Sequence, residues 1–226
     1  MPEWWTYGLS DFLLFSPRTY YRLLQRHNEV LWPAQVLTLS LGLLVLLLLR
    51  QPSPRRTRVI STALAGLWVW IAWAFLWKRY ATINWAAAYA VPVFVLEALL
   101  FGWRGTAGGR LTYRPSRDAA GIAGISLLVF SLAIYPLLAP LFGRPWRQAE
   151  VFGITPDPTA LATLGLLVLA EGGRRRALMV VPMLWCLLSG ATLLAMGSPE
   201  AWVQLPAPFI LLGAIAWSRR AKKVSL

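Results

Sequence analysis

The chain of 226 residues is 58% hydrophobic and only 14% charged, whereas a soluble domain carries roughly 25% charged residues. So few charges cannot coat a water-facing globule of this length, which leaves a single membrane-embedded domain as the natural reading. The net charge of +13 sits in short runs between apolar stretches, such as Arg55-Arg56, Lys78-Arg79, Arg174-Arg175-Arg176 and Arg219-Arg220, which suits loops flanking membrane spans and leaves no soluble basic face for nucleic acid.

Residues 1–29 lack the apolar length of a span and form a separate N-terminal segment. Ser16-Pro17 reads as a helix start, with Ser16 as the cap and Pro17 as the first helical residue. Arg18, Arg22 and Arg26 then recur every four residues on one face, opposite Tyr20, Leu24 and Leu31. That pattern predicts an amphipathic helix in the headgroup plane, its arginines toward lipid phosphates. An entry helix packed on the bundle would show the same pattern. Pro33 marks the bend into the first span.

Seven apolar segments follow, at roughly 30–49, 59–77, 83–103, 119–142, 155–170, 178–196 and 202–217. A helix crossing the hydrocarbon core needs about 20 residues. The segments at 155–170 and 202–217 are short and open on prolines, so six crossings are the alternative. Uninterrupted runs such as residues 43–49 lack the alternation of a barrel strand. The expected fold is therefore an all-α transmembrane bundle over residues 30–217, with a basic tail at 218–226. The side holding the N-terminal segment and the even-numbered loops carries 7 Lys and Arg, the other side 15. The excess places the C-terminus in the cytoplasm and the N-terminus outside, in the plasma (inner) membrane. Trp32, Trp77, Trp85, Trp103, Trp202 and Trp217 stand near span ends, as in an interfacial aromatic belt.

Glu97 interrupts the third span, in Leu96-Glu97-Ala98. An acidic side chain near a span centre costs on the order of 2.5–3.5 kcal/mol to insert, so it is expected to face the bundle or water. Ala86 and Ala90 share its stripe and admit a close helix neighbour. Counted from the inner ends of their spans, Ser126, Thr163 and Trp185 fall near its depth, with Cys186 beside Trp185. These residues form the candidate intramembrane polar site, either a solute, ion or proton site or a structural hydrogen bond. Asp157 reads as a cap for the fifth span, Glu171 as a neighbour of Arg174, and Glu29 as a partner of Arg22 or Arg26.

The inventory excludes several chemistries. Cys186 is the single cysteine and His27 the single histidine, so this chain cannot form an internal disulfide, a bis-His haem or a His-rich zinc site. No phosphate-binding loop, HExxH, GxSxG or GxGxxG occurs, no catalytic residue is identified, and no cofactor is expected.

Two stretches carry a resemblance. Residues 10–17, Ser-Asp-Phe-Leu-Leu-Phe-Ser-Pro, running on to Trp32-Pro33-Ala34-Gln35, and residues 152–159, Phe-Gly-Ile-Thr-Pro-Asp-Pro-Thr, resemble a family of small bacterial polytopic membrane proteins of unknown function. The resemblance covers nearly the whole chain. It implies a membrane bundle and carries no activity or site residue. Two functions remain open: a transporter of a small solute, ion or proton built around a membrane carboxylate, or an accessory subunit of a membrane complex. Membrane lipids are the expected partners, with other membrane subunits or a second copy of the chain under the accessory reading.

Overall fold

The computed structural model describes residues 8, 11, 13–108, 111–172 and 175–224. Arg110 and Arg174 of the basic loops, residues 1–7 of the N-terminal segment and residues 225–226 of the tail lie outside these.

Helix α1 (Pro17–Leu31) begins as its sequence dictates: the Thr19 N–H donates to Ser16 Oγ at 3.2 Å. Arg18, Arg22 and Arg26 are exposed, while Tyr20, Leu23, Leu24, His27 and Asn28 are buried. The buried face rests on protein, with the His27 ring 5.2 Å from that of Phe75. The chain then turns by 85° into α2 (Ala34–Leu49). Glu29 pairs with Arg147 at 3.1 Å across the bundle, in place of the arginines of its own helix.

Helix α3 (Pro54–Ile71) continues through a π-helical turn at Ala72–Trp77. α4 (Ala87–Phe101) likewise ends in a π-helical turn at Gly102–Ala107. α5 (Ala119–Val129) runs through Phe130–Ile134 into α6 (Tyr135–Leu141). After a loop come α7 (Pro156–Leu169), α8 (Arg175–Ala195), the short α9 (Ala201–Gln204) and α10 (Pro206–Val224). All-α is the correct class, apart from a small antiparallel ribbon of β1 (Thr112–Tyr113) and β2 (Ala170–Glu171). Glu171 lies 3.8 Å from Arg114, which follows β1, at the surface.

Among the described residues, five helices are long and apolar enough to cross a membrane: Pro54–Thr82, Ala87–Ala107, Ala119–Leu141, Arg175–Ala195 and Ala201–Ala221. The bent pair α1–α2 makes a sixth if taken as one span. The last helix is therefore longer than its proline-rich start suggested, because helix continues through Ser218 and Arg219 beyond the apolar stretch. The short helices are α2, of 16 residues, and α7, of 14.

All 14 residues of α7 are buried, so it is the axis of the bundle. Glycine makes this possible on one side. A Cβ on Gly165 would stand 2.6 Å from the Gly124 carbonyl oxygen, so the α5 and α7 backbones touch. On another side the Trp68 indole N–H donates to Thr163 Oγ1 at 3.2 Å, and Thr163 passes its own proton to the Thr159 carbonyl at 2.7 Å. The outer surface of the bundle is apolar, with Leu43, Leu47, Leu99, Leu188 and Ile210 exposed. Trp32, Trp77, Trp85 and Trp202 are exposed at the end that holds α1, and Trp103 and Trp217 at the opposite end. At helical rise, Trp85 and Trp103 stand about 27 Å apart, close to the thickness of a hydrocarbon core.

Gly165→Val forces apart two backbones already in contact and is expected to cost about 1–3 kcal/mol. Gly66→Ala, with nothing within 4 Å of the added Cβ, serves as the control. Thermal unfolding in detergent should show a lowered midpoint for the first variant and an unchanged or raised one for the second.

Candidate functional site

Glu97 is fully buried on α4, and neither carboxyl oxygen has a hydrogen-bond partner among the described residues. The half-buried Arg104 and the phenol of Tyr113 are close enough to couple to it electrostatically. The residues grouped with it by depth go elsewhere. Thr163 bonds Trp68 and Thr159. Ser126 is exposed in a groove between α5 and α10. Cys186 is buried. Trp185 belongs to a second polar cluster, at the end of the bundle that holds α1.

That cluster is built on the start of α7. The first four N–H groups of a helix have no partner within it. Here Pro156 and Pro158 have no N–H to satisfy, so the first turn makes little demand for a cap. Thr155, not Asp157, is the residue at the cap position, and its hydroxyl bonds within the preceding loop, to the Val151 N–H at 3.1 Å. Asp157 is thereby released from the capping role its sequence context suggests. It reaches to α8, accepting from Trp185 Nε1 and Ser189 Oγ, both at 2.7 Å. Trp185 and Ser189 are four apart, on one helical face. Asp157 is completely buried.

A second carboxyl arrives from the loop between α6 and α7. Glu150 is 5% exposed and accepts from the Tyr20 hydroxyl at 3.4 Å, while its Oε2 has no hydrogen-bond partner among the described residues. The loop is held down by α1, where the Asn28 amide donates to the carbonyls of Arg147 at 2.9 Å and Ala149 at 2.7 Å. His27 Nε2 lies 3.2 Å from the Ile154 carbonyl. Gln204 of α9 donates to the Tyr135 hydroxyl at 3.0 Å, and both adjoin Asp157.

A third acid, Glu200, is 2% exposed and forms an ion pair with Arg144. Ser198 donates to Glu200 and receives a bond from the Tyr21 hydroxyl at 2.8 Å. The Arg144 guanidinium lies over the Tyr21 ring, 4.1 Å from its centroid. Its charge also reaches Glu150. Among the described residues, three buried carboxyls, Glu150, Asp157 and Glu200, thus gather at this end of the bundle, and the Arg144 guanidinium forms its ion pair with Glu200. An uncompensated buried carboxylate costs several kcal/mol, so the remaining pair retains a proton or takes a counter-cation. Burial, followed by the nearby charge of Asp157, pushes the Glu150 carboxyl well above the usual range.

Beside the cluster lies a cavity of about 100 Å³. Its wall includes Tyr20, which bonds Glu150, and Trp185 and Ser189, which bond Asp157. No group of three or more His, Cys, Asp and Glu residues suited to a metal ion occurs among the described residues.

Residues 18–225 match the model of a family described as a family of unknown function (DUF6064). The chain belongs to this family. No curated protein and no solved structure matches it. The matched region takes in α1, the Glu150–Asp157 cluster and Glu97, so all of the candidate chemistry of this DUF6064 chain lies within the family domain.

Sequence reasoning settled on Glu97 because it interrupts an apolar run. Glu150 carries no such signal because it sits outside every apolar segment, and Asp157 reads as a cap because its setting, Thr155-Pro156-Asp157-Pro158, is that of a helix start. The available signal was the pair of flanking prolines, which remove the donors that a cap exists to satisfy.

With its raised pKa, Glu150 keeps in the folded state a proton that the unfolded chain releases above pH about 4.3. The folded state therefore binds more protons than the unfolded one, and this group's contribution to stability falls as pH rises from that point toward the folded pKa. Burial lowers His27 to about 4, which gives the opposite slope up to about pH 6.5, so thermal midpoints measured from pH 7.5 to 9 should decline, and Glu150→Gln should flatten the decline. An unchanged slope in the variant would contradict the assignment.

Proposed function

We propose that this protein is a multi-pass membrane protein that binds a proton or a small cation at the Glu150–Asp157 pair and carries it across the bilayer. The carrying observation is the charge imbalance: two buried carboxyls share a cluster whose guanidinium is already paired with Glu200. Architecture supports the reading. Residues 149–155 are irregular yet buried, and they lead into a half-length helix enclosed by the bundle. Non-helical backbone at membrane depth is tolerated where it is buried in protein or lines a cavity, and discontinuous helices supply substrate sites in many transporters. Glu97 is proposed as a second station on the same route, nearer the opposite end of the bundle.

The proposed setting is the bacterial plasma membrane, with α1 and the carboxylate pair on the outer side and the C-terminus in the cytoplasm. The larger share of Lys and Arg in the loops opposite α1 favours this orientation. Exposed Arg18, Arg22 and Arg26 are placed to meet lipid phosphates on the outer side.

A second reading, an accessory subunit of a membrane complex, draws on the apolar groove of about 370 Å³ between α5 and α10, lined by Ser126, Phe130 and Trp202. A partner helix of matching shape would fill it.

The two readings separate in reconstituted vesicles. Wild-type protein should move protons, alkali cations or small amine cations down an imposed gradient faster than protein-free vesicles. Glu150→Gln and Asp157→Asn should each slow that flux at least tenfold. Wild-type flux no faster than in protein-free vesicles would refute transport, and native purification within a larger assembly would then favour the accessory role.

A further inference from the structure

The cavity beside the carboxylate pair has a polarity that identifies its ligand. Three hydroxyls on its wall have spent their hydrogens elsewhere. Tyr20 donates to Glu150 at 3.4 Å, Ser189 to Asp157 at 2.7 Å and Thr192 to the Leu188 carbonyl at 2.9 Å. The Trp185 N–H is likewise committed to Asp157. The Asn84 amide adjoins the Tyr80 phenol, and its oxygen accepts from the Ala86 N–H at 3.1 Å. What the wall offers a guest is hydroxyl lone pairs and aromatic surface from Tyr20, Phe75, Tyr80 and Trp185. A cation that donates hydrogen bonds finds acceptors and π faces there.

Charge and size narrow the class. Behind Trp185 and Ser189 lies Asp157, which accepts from both, and behind Tyr20 lies Glu150, so the wall is backed by the one negative charge left when the pair holds a single proton. The carboxyls themselves do not line the cavity, so a bare alkali or divalent ion would lack the shell of oxygen ligands it requires. An apolar cavity of about 150 Å³ admits benzene, so about 100 Å³ accommodates about four heavy atoms.

We infer that this cavity is a binding site for a small alkylammonium cation, of the size of methylammonium to trimethylammonium. The inference rests on the proposed cation role of the Glu150–Asp157 pair and adds the substrate class. Attraction between the guest's charge and the charge that the pair retains behind the wall makes binding depend on Asp157 and Glu150 without direct contact.

The test is a titration of the full-length protein in detergent micelles at constant ionic strength, followed by tryptophan fluorescence and thermal midpoint. Trimethylammonium should bind saturably and raise the midpoint. Sodium chloride should leave both signals unchanged, and so should tetraethylammonium, which exceeds the cavity. Ala90→Leu, which fills the cavity and leaves both carboxyls in place, should weaken trimethylammonium at least tenfold, as should Asp157→Asn. Equal responses to all three salts, no saturable response to trimethylammonium, or undiminished affinity in a folded Ala90→Leu protein would overturn the inference. If amines fail to bind while vesicles still show proton or alkali cation flux sensitive to Glu150→Gln, the substrate class is wrong and the transport reading stands. If trimethylammonium binds but nothing crosses the vesicle membrane, the site stands and the transport reading falls.

Discussion

Helix α7 has no face toward lipid or water, and that enclosure constrains its neighbours. All of Pro156–Leu169 is buried, so each polar group it carries is satisfied from within the bundle or left at a cost. Along its length the solution is local: Thr163 returns its proton to Thr159, Thr159 returns its own to Thr155, and Trp68 donates from α3. At its C-terminal end the solution is electrostatic. Arg175 donates to the carbonyls of Val168 and Ala170, placing a cation where the helix dipole favours one. The Arg114 N–H donates to the Leu169 carbonyl at 2.8 Å, which ties the β-ribbon to the same helix end. Contact with α5 is close because Gly124 and Gly165 face each other without side chains.

The N-terminal end of α7 is resolved differently, and the candidate chemistry arises there. Two prolines leave little to cap, so Asp157 is available to α8, while the loop before it must be covered. Helix α1 supplies the cover. Its Asn28 satisfies two loop carbonyls, His27 meets a third, and Tyr20 reaches Glu150. The arginine face of α1 stays outside and its other face becomes part of the site. A helix whose periodicity suggests a membrane-surface anchor covers a buried acidic cluster. The donors that hold the carboxyls, Tyr20, Trp185 and Ser189, also form part of the wall of the neighbouring cavity.

Much of the architecture was legible residue by residue. Ser16-Pro17 announces α1, and Ser16 does accept from Thr19. The apolar runs mark the helices, and the tryptophans at their ends are exposed as an interfacial position requires. Glu97 was legible as buried because an acid within an apolar run has few alternatives. Its neighbours were not, because depth along a helix says nothing about which helices adjoin. Ser126 has a similar depth and faces outward, while Thr163 and Trp185 face inward to different partners.

The sequence by itself determined the helical character of this chain and the presence of helices long and apolar enough to cross a membrane, through a charge fraction of 14% and long apolar runs. It also marked some helix ends, such as Ser16-Pro17 at the start of α1, because caps and prolines act over a few residues. Tertiary structure alone decided that the shortest apolar segment lies at the centre, and that Glu150, Asp157 and Tyr20, up to 137 positions apart, meet at one end of it. The physical reason is that hydrophobicity is non-directional. It drives segments together without naming partners, and the pairing is settled by glycine contacts, buried hydrogen bonds and the few charges that cannot be left alone.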